Sequence, residues 1–158
     1  MSRKTIAMMA RVPREFSTVV LDTNVVVAAL LWDGVPRALL KLVAAEQSVA
    51  AVVSPALIAE LERVLQRAQL AERVRATGRS AEELVSRYRE IAVTVPPSAV
   101  APVVVADSDD DHVLALAVAA RASLVITGDR SHLLPIGRHE GIAIVTPRAA
   151  LDFFGKSL

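Results

Sequence analysis

The sequence of 158 residues contains no cysteine. Disulfides, thiolate zinc sites and cysteine nucleophiles are therefore excluded together, and a cytoplasmic setting is the expectation. Aromatic residues are few: Phe16, Trp32, Tyr88, Phe153 and Phe154. They are poor material for an extended base-stacking platform. The three histidines, His112, His132 and His139, do not fall at metal-ligand spacing. An excess of charge is also missing. Eighteen basic and 17 acidic residues leave a net charge of +1. That balance neither announces nor excludes nucleic acid, because a gathered acidic site would mask a basic rim. No apolar run can span a bilayer; the longest region, 42–59, is broken by Glu46, Gln47, Ser48, Ser54 and Pro55. Residues 1–17 carry only the short apolar stretch Ile6–Ala10, less than a secretory signal needs. They read as a flexible extension, with Met8 or Met9 as an alternative start. No G-x-G-x-x-G follows the first strand, which removes a dinucleotide-binding dehydrogenase. No lysine lies between Lys41 and Lys156, against a phosphatase or receiver domain with Asp22 as phosphate acceptor.

What the chain has in quantity is core material. Apolar residues make up 53%, enough for one domain with one core. Residues 18–22 read as a buried strand that ends on Asp22. Helices follow over 25–31 and 35–46, the second with Pro36 in its first turn. Ala50–Val53 is a second strand. Ser54-Pro55 opens a helix to about Gln69 with a stripe at Leu57, Ile58, Leu61, Val64 and Leu65. Ser80 and Glu83 form a capping box for a helix over 81–91. A third strand spans 92–95. A helix from the Asp107–Asp111 run to about Ala122 places Leu114, Ala115, Val118 and Ala122 on one face, with Ser108 or Asp109 as its N-cap. Strands at 124–127 and 142–145 and a helix from Pro147 to about Phe154 complete the chain. Apolar strands alternating with helices predict a parallel sheet covered on both faces, an α/β three-layer α/β/α sandwich.

Open parallel sheets build their sites at the carboxyl ends of the strands, where strand order reverses. This chain sends carboxylates there from four distant segments. Asp22 closes the first strand, and Glu60 lies in the helix after the second. The Asp107–Asp111 run opens the helix before the fourth strand, with Asp111 as the leading candidate and Asp110 in reserve, and Asp129 follows the fourth strand. Like charges at close range oppose joint ionisation. A hard divalent cation such as Mg²⁺ relieves this, taking carboxylates, waters and substrate phosphate oxygens as ligands. Such a site suits hydrolysis of a phosphodiester.

Val20-Leu21-Asp22-Thr23-Asn24 resembles the opening motif of PIN domains. Glu60 in Ala-Leu-Ile-Ala-Glu-Leu is similar to that family's second acidic position. Asp111 in Asp-Asp-Asp-His-Val-Leu-Ala-Leu-Ala resembles the third, and Thr127-Gly128-Asp129 the fourth. The resemblance covers residues 18–154, read as one domain. It implies strand order 3-2-1-4-5 and cleavage of single-stranded RNA with Mg²⁺ or Mn²⁺. It also implies a homodimer and a VapC-like toxin covered by a small antitoxin. Arg130, Ser131 and His132 stand where members often carry a further acidic residue. That departure supports an alternative, a catalytically silent module that binds protein or RNA.

Other residues are weighed against plainer roles. Asn24 either orients Asp22, touches substrate or bonds the local backbone. Thr127 orients a carboxylate or a water, or merely ends a strand. Arg130, Arg37 and Lys41 are candidate phosphate contacts that would otherwise be solvated. Trp32 is the one aromatic expected near the site, packing or a dimer contact being its alternative.

Overall fold

The computed structural model of the protein describes residues 17–96 and 108–157, apart from the side chains of 108–111 and 156–157. The Asp107 prediction therefore lies outside the described residues, as do the expectations for residues 1–16. The strands are β1 (Ser17–Leu21), β2 (Val49–Val53), β3 (Val93–Thr94), β4 (Leu124–Ile126), β5 (Arg138–His139) and β6 (Ile142–Val145). The helices are α1 (Thr23–Leu31), α2 (Val35–Ala45), α3 (Pro55–Leu65), α4 (Ala71–Ala76), α5 (Ala81–Ile91), α6 (Ser108–Ala119), α7 (Leu133–Ile136) and α8 (Pro147–Ser157).

The sheet order is β3-β2-β1-β4-β6-β5, and every pairing is parallel except β5 with β6. The expected order 3-2-1-4-5 is present once the fifth predicted strand is counted as β6. The chain starts in the middle, builds outward through β2 and β3, then returns to add β4 beside β1. The reversal falls between β1 and β4. The central strands are buried along nearly their whole length, with β2 buried at all five residues. That is why they read as apolar runs rather than alternating ones. The helices cover the sheet: α2 packs on β2, and α6 on β1 and β4. Among the described residues no helix is long and apolar enough to cross a membrane.

The caps behave as expected. Ser54 Oγ accepts from the Leu57 N–H at 3.2 Å, and Ser80 with Glu83 forms the reciprocal box. Four expectations need correction. The third helix stops at Leu65 instead of reaching Gln69; a 3₁₀ turn (Ala68–Leu70) and α4 follow. The break lets Leu70 and Val74 turn back onto the core, which a continuous helix would have carried away from it. The acidic-run helix already includes Ser108, so neither Ser108 nor Asp109 is its cap, and it ends at Ala119, short of Ala122. That helix, α6, has no single buried face: Val113 to Ala117 are all buried, whereas Val118 is exposed. It lies in a trough made by β1, β4 and α3, so Val118 meets the open side. Finally, β5 and β6 form a hairpin that the sequence reading lacked. Its two turn residues, Glu140 and Gly141, both have positive φ (48° and 81°), which matches the right-handed twist of a two-residue connection.

Candidate active site

The site grows out of the register between β1 and β4. Leu21 pairs with Ile126, so the next residues, Asp22 and Thr127, emerge side by side at the carboxyl rim. The Asp22 N–H donates to the Ile126 carbonyl at 2.9 Å, which locks this juxtaposition. Asp22 occupies the N-cap position of α1, yet its side chain makes no capping bond. Its Oδ2 accepts instead from Thr127 Oγ1 at 2.7 Å. Both residues are buried, so the carboxylate is oriented in a region of reduced screening.

Thr127 is itself held. Its hydroxyl oxygen accepts from the Asp129 N–H at 3.0 Å, which leaves the hydroxyl proton directed at Asp22. Replacing Thr127 by Val should remove a charge-assisted bond and destabilise the protein by about 2 kcal/mol. Thr127→Ser should recover most of that loss. Urea unfolding of the two variants measures both values.

Glu60 reaches the same neighbourhood from α3. Its Oε2 accepts from Thr23 Oγ1 at 2.9 Å. Thr23 is buried and adjoins Asp22, so the first and second acidic positions are tied to consecutive residues. Thr23 is not among the candidate site residues that the sequence singles out. Nothing local marks a bond across 37 positions.

Asp129 lies just beyond, on the loop after β4. Its Oδ1 accepts from the backbone N–H groups of Ser131 (2.9 Å) and His132 (3.1 Å). Its Oδ2 lies 3.5 Å from His132 Nδ1. Burial opposes its ionisation, but the Ser131 and His132 N–H groups, the His132 charge and the Leu133 N–H together outweigh it. The carboxyl is held below its ordinary pKa. A lowered folded value means that its stabilisation is complete above the unfolded pKa, about 3.9, and is lost as pH falls through the folded value. The stability gap between the wild type and Asp129→Asn should therefore be constant at neutral pH and close below about pH 4. Chemical denaturation across that range checks it. The segment Arg130–His132 thus supplies N–H groups to Asp129 where the resemblance expects another carboxylate.

The third acidic position, Asp111, belongs to α6, and its side chain lies outside the described residues. The backbone of α6 is informative. A short link joins its carboxyl end to the start of β4, so the helix runs against the strands. Its twelve residues rise about 18 Å, which brings its N-terminal turn back to the rim that carries Asp22. Among the described residues no group of three or more His, Asp or Glu side chains gathers as a metal cluster. The candidate ligands whose side chains are described, Asp22, Glu60 and Asp129, are all carboxylates, which suits a hard divalent cation.

Arg130 and Asn24 are exposed at the rim. Arg37 is not available to phosphate. Its guanidinium donates to the Ala29 and Leu30 carbonyls and to Asp33, closing the carboxyl end of α1, whose last carbonyls have no partner within the helix. Lys41 lines a separate cavity of about 650 Å³ together with Arg73, Arg79 and Arg87.

Fold and site together define a doubly wound α/β sandwich whose switch point carries oriented carboxylates. A family model for the PIN domain matches residues 18–131, and the chain belongs to the PIN domain family. None of the curated proteins matches it. Among solved structures, it is similar to a chain in the crystal structure of VapBC2 from Rickettsia felis bound to a DNA fragment from their promoter. Identity is 13%, the TM-score is 0.56, and the likeness covers 82% of this chain and 98% of that one. At that identity the likeness speaks for the fold.

Proposed function

We propose that the protein is a metal-dependent endoribonuclease that cleaves single-stranded RNA, with Asp22, Glu60, Asp111 and Asp129 as its acidic residues. The observation that carries this reading is the Asp22–Thr127 pair: a buried carboxylate at the switch point, held by a donor from the neighbouring strand. Membership of the PIN family supports it. A bound Mg²⁺ or Mn²⁺ would activate a water and neutralise charge on the phosphodiester. The residues of the chain supply the setting. Thr127 and Thr23 fix the rotamers of Asp22 and Glu60, so that the carboxylates are preorganised. The N–H groups of Ser131 and His132 keep Asp129 ionised. Asn24 and Arg130 sit where a substrate strand would meet the rim.

The likeness to a VapBC2 chain supports a further step, a toxin paired with an antitoxin that covers the site; a cytoplasmic homodimer with one PIN domain over 18–154 completes this reading. The test is cleavage of a fluorophore-quencher oligoribonucleotide. The purified chain should cut the single-stranded substrate with Mn²⁺ or Mg²⁺ and stop on addition of EDTA. Binding without cleavage under any divalent metal would favour the silent module instead.

A further inference from the structure

Trp32 is the aromatic that the rim leaves unexplained. It directly follows α1 and is 41% exposed. The Arg73 guanidinium lies over the ring, 5.5 Å from its centroid. Arg73 is anchored in turn, its Nε donating to the Leu31 carbonyl at 2.8 Å. A cation held against one face fixes the plane of the indole.

Trp32 also lines a pocket of about 330 Å³ between α1 and the end of α3. Asn24, Ala28 and Trp32 recur every four residues, so they form one line along α1. That line begins two residues after Asp22 and extends about 12 Å. The floor is apolar, with Val27, Val64 and Leu70. The polar groups are the Asn24 and Gln69 amides and the Arg67 guanidinium, and no acidic residue is among the described lining.

Each amide offers a donor and an acceptor, which is what the edge of a nucleobase presents in return. A pinned aromatic plane serves the face of the base, and a cation serves the phosphate attached to it. We propose that this pocket is a nucleobase subsite, holding a base close in sequence to the phosphodiester being cleaved. The proposal rests on the nuclease reading above and adds a base preference to it. Trp32 supplies stacking, and Asn24 and Gln69 read the base edge.

Trp32 is the sole tryptophan, so its emission reports on the pocket directly. The full-length chain is used as Asp22→Asn to prevent cleavage. It is titrated with oligouridylate, with oligoadenylate and with an abasic ribose-phosphate oligomer of equal length, while binding is followed by anisotropy. The expected result is saturable quenching by the base-bearing oligomers but not by the abasic one. Trp32→Ala should weaken binding roughly tenfold, Trp32→Phe should retain most of it, and Gln69→Ala should flatten the preference between uridine and adenosine. Binding with unchanged emission, equal quenching by the abasic oligomer, or full affinity and preference in Trp32→Ala would each overturn the subsite and leave the nuclease reading standing. Emission that changes with protein concentration alone would give the pocket to a second copy of the chain, and so also overturn it. If no oligomer binds, the nuclease reading fails together with the subsite.

Discussion

Asp22→Asn is expected to lose cleavage by about 10³-fold or more while the metal-free protein stays as stable as the wild type, or becomes more stable. The first half follows from position. Asp22 is buried at the junction of β1 and β4, where the proposed cation would be bound. Losing several kcal/mol of transition-state stabilisation corresponds to about tenfold in rate per 1.36 kcal/mol. The second half follows from charge. A carboxylate in a low-dielectric setting pays for desolvation, and asparagine of equal size removes that cost. Its amide oxygen can still accept from Thr127. Single-turnover cleavage and thermal melting in EDTA measure the two halves. A variant that melts far below the wild type would make Asp22 a structural residue and remove the basis for its catalytic assignment. Full cleavage by the variant would do the same.

The second large effect concerns metal and stability together. A ligand that binds only the folded state at one hundred times its Kd adds about 2.7 kcal/mol. For a chain of 158 residues each kcal/mol moves the melting temperature by about 2–4 °C. Saturating Mn²⁺ should therefore raise Tm by about 5–10 °C. Asp22→Asn should abolish the rise, and Thr23→Val should reduce it by releasing Glu60. Equal shifts in the wild type and Asp22→Asn would mean that the cation binds elsewhere. Calorimetric scans with and without EDTA settle the point.

The parts of this architecture that depend on burial were readable in the residues. The run Val19 to Leu21 is apolar because β1 has neighbours on both faces, and the Asp that ends it had no plain reason to follow a buried strand. Ser54-Pro55 and the Ser80–Glu83 box are local devices, so they were legible locally. The parts that depend on tertiary placement were not. A two-residue strand such as β5 is too short to have a period. The exposure of Val118 depends on α6 being walled on more than one side, whereas helical spacing assumes a single buried face. The site divides in the same way. Asp22, Glu60 and Asp129 could be singled out as candidates from strand ends and motif order. That Thr23 holds Glu60, and that Ser131 and His132 hold Asp129, required the chain to be folded. For Asp111 the sequence indicated a rim position, and the direction of α6 places its helix turn there.

The β5–β6 hairpin has a consequence for how copies of the molecule can meet. β5 contributes only Arg138 and His139, and a tight reversal follows at once. A margin of two residues, one of them an exposed arginine, presents too few unpaired backbone groups to recruit a foreign strand. On that flank the sheet cannot grow laterally into a ladder shared between molecules. Self-association on that flank would therefore rest on side-chain contacts instead of shared backbone pairing.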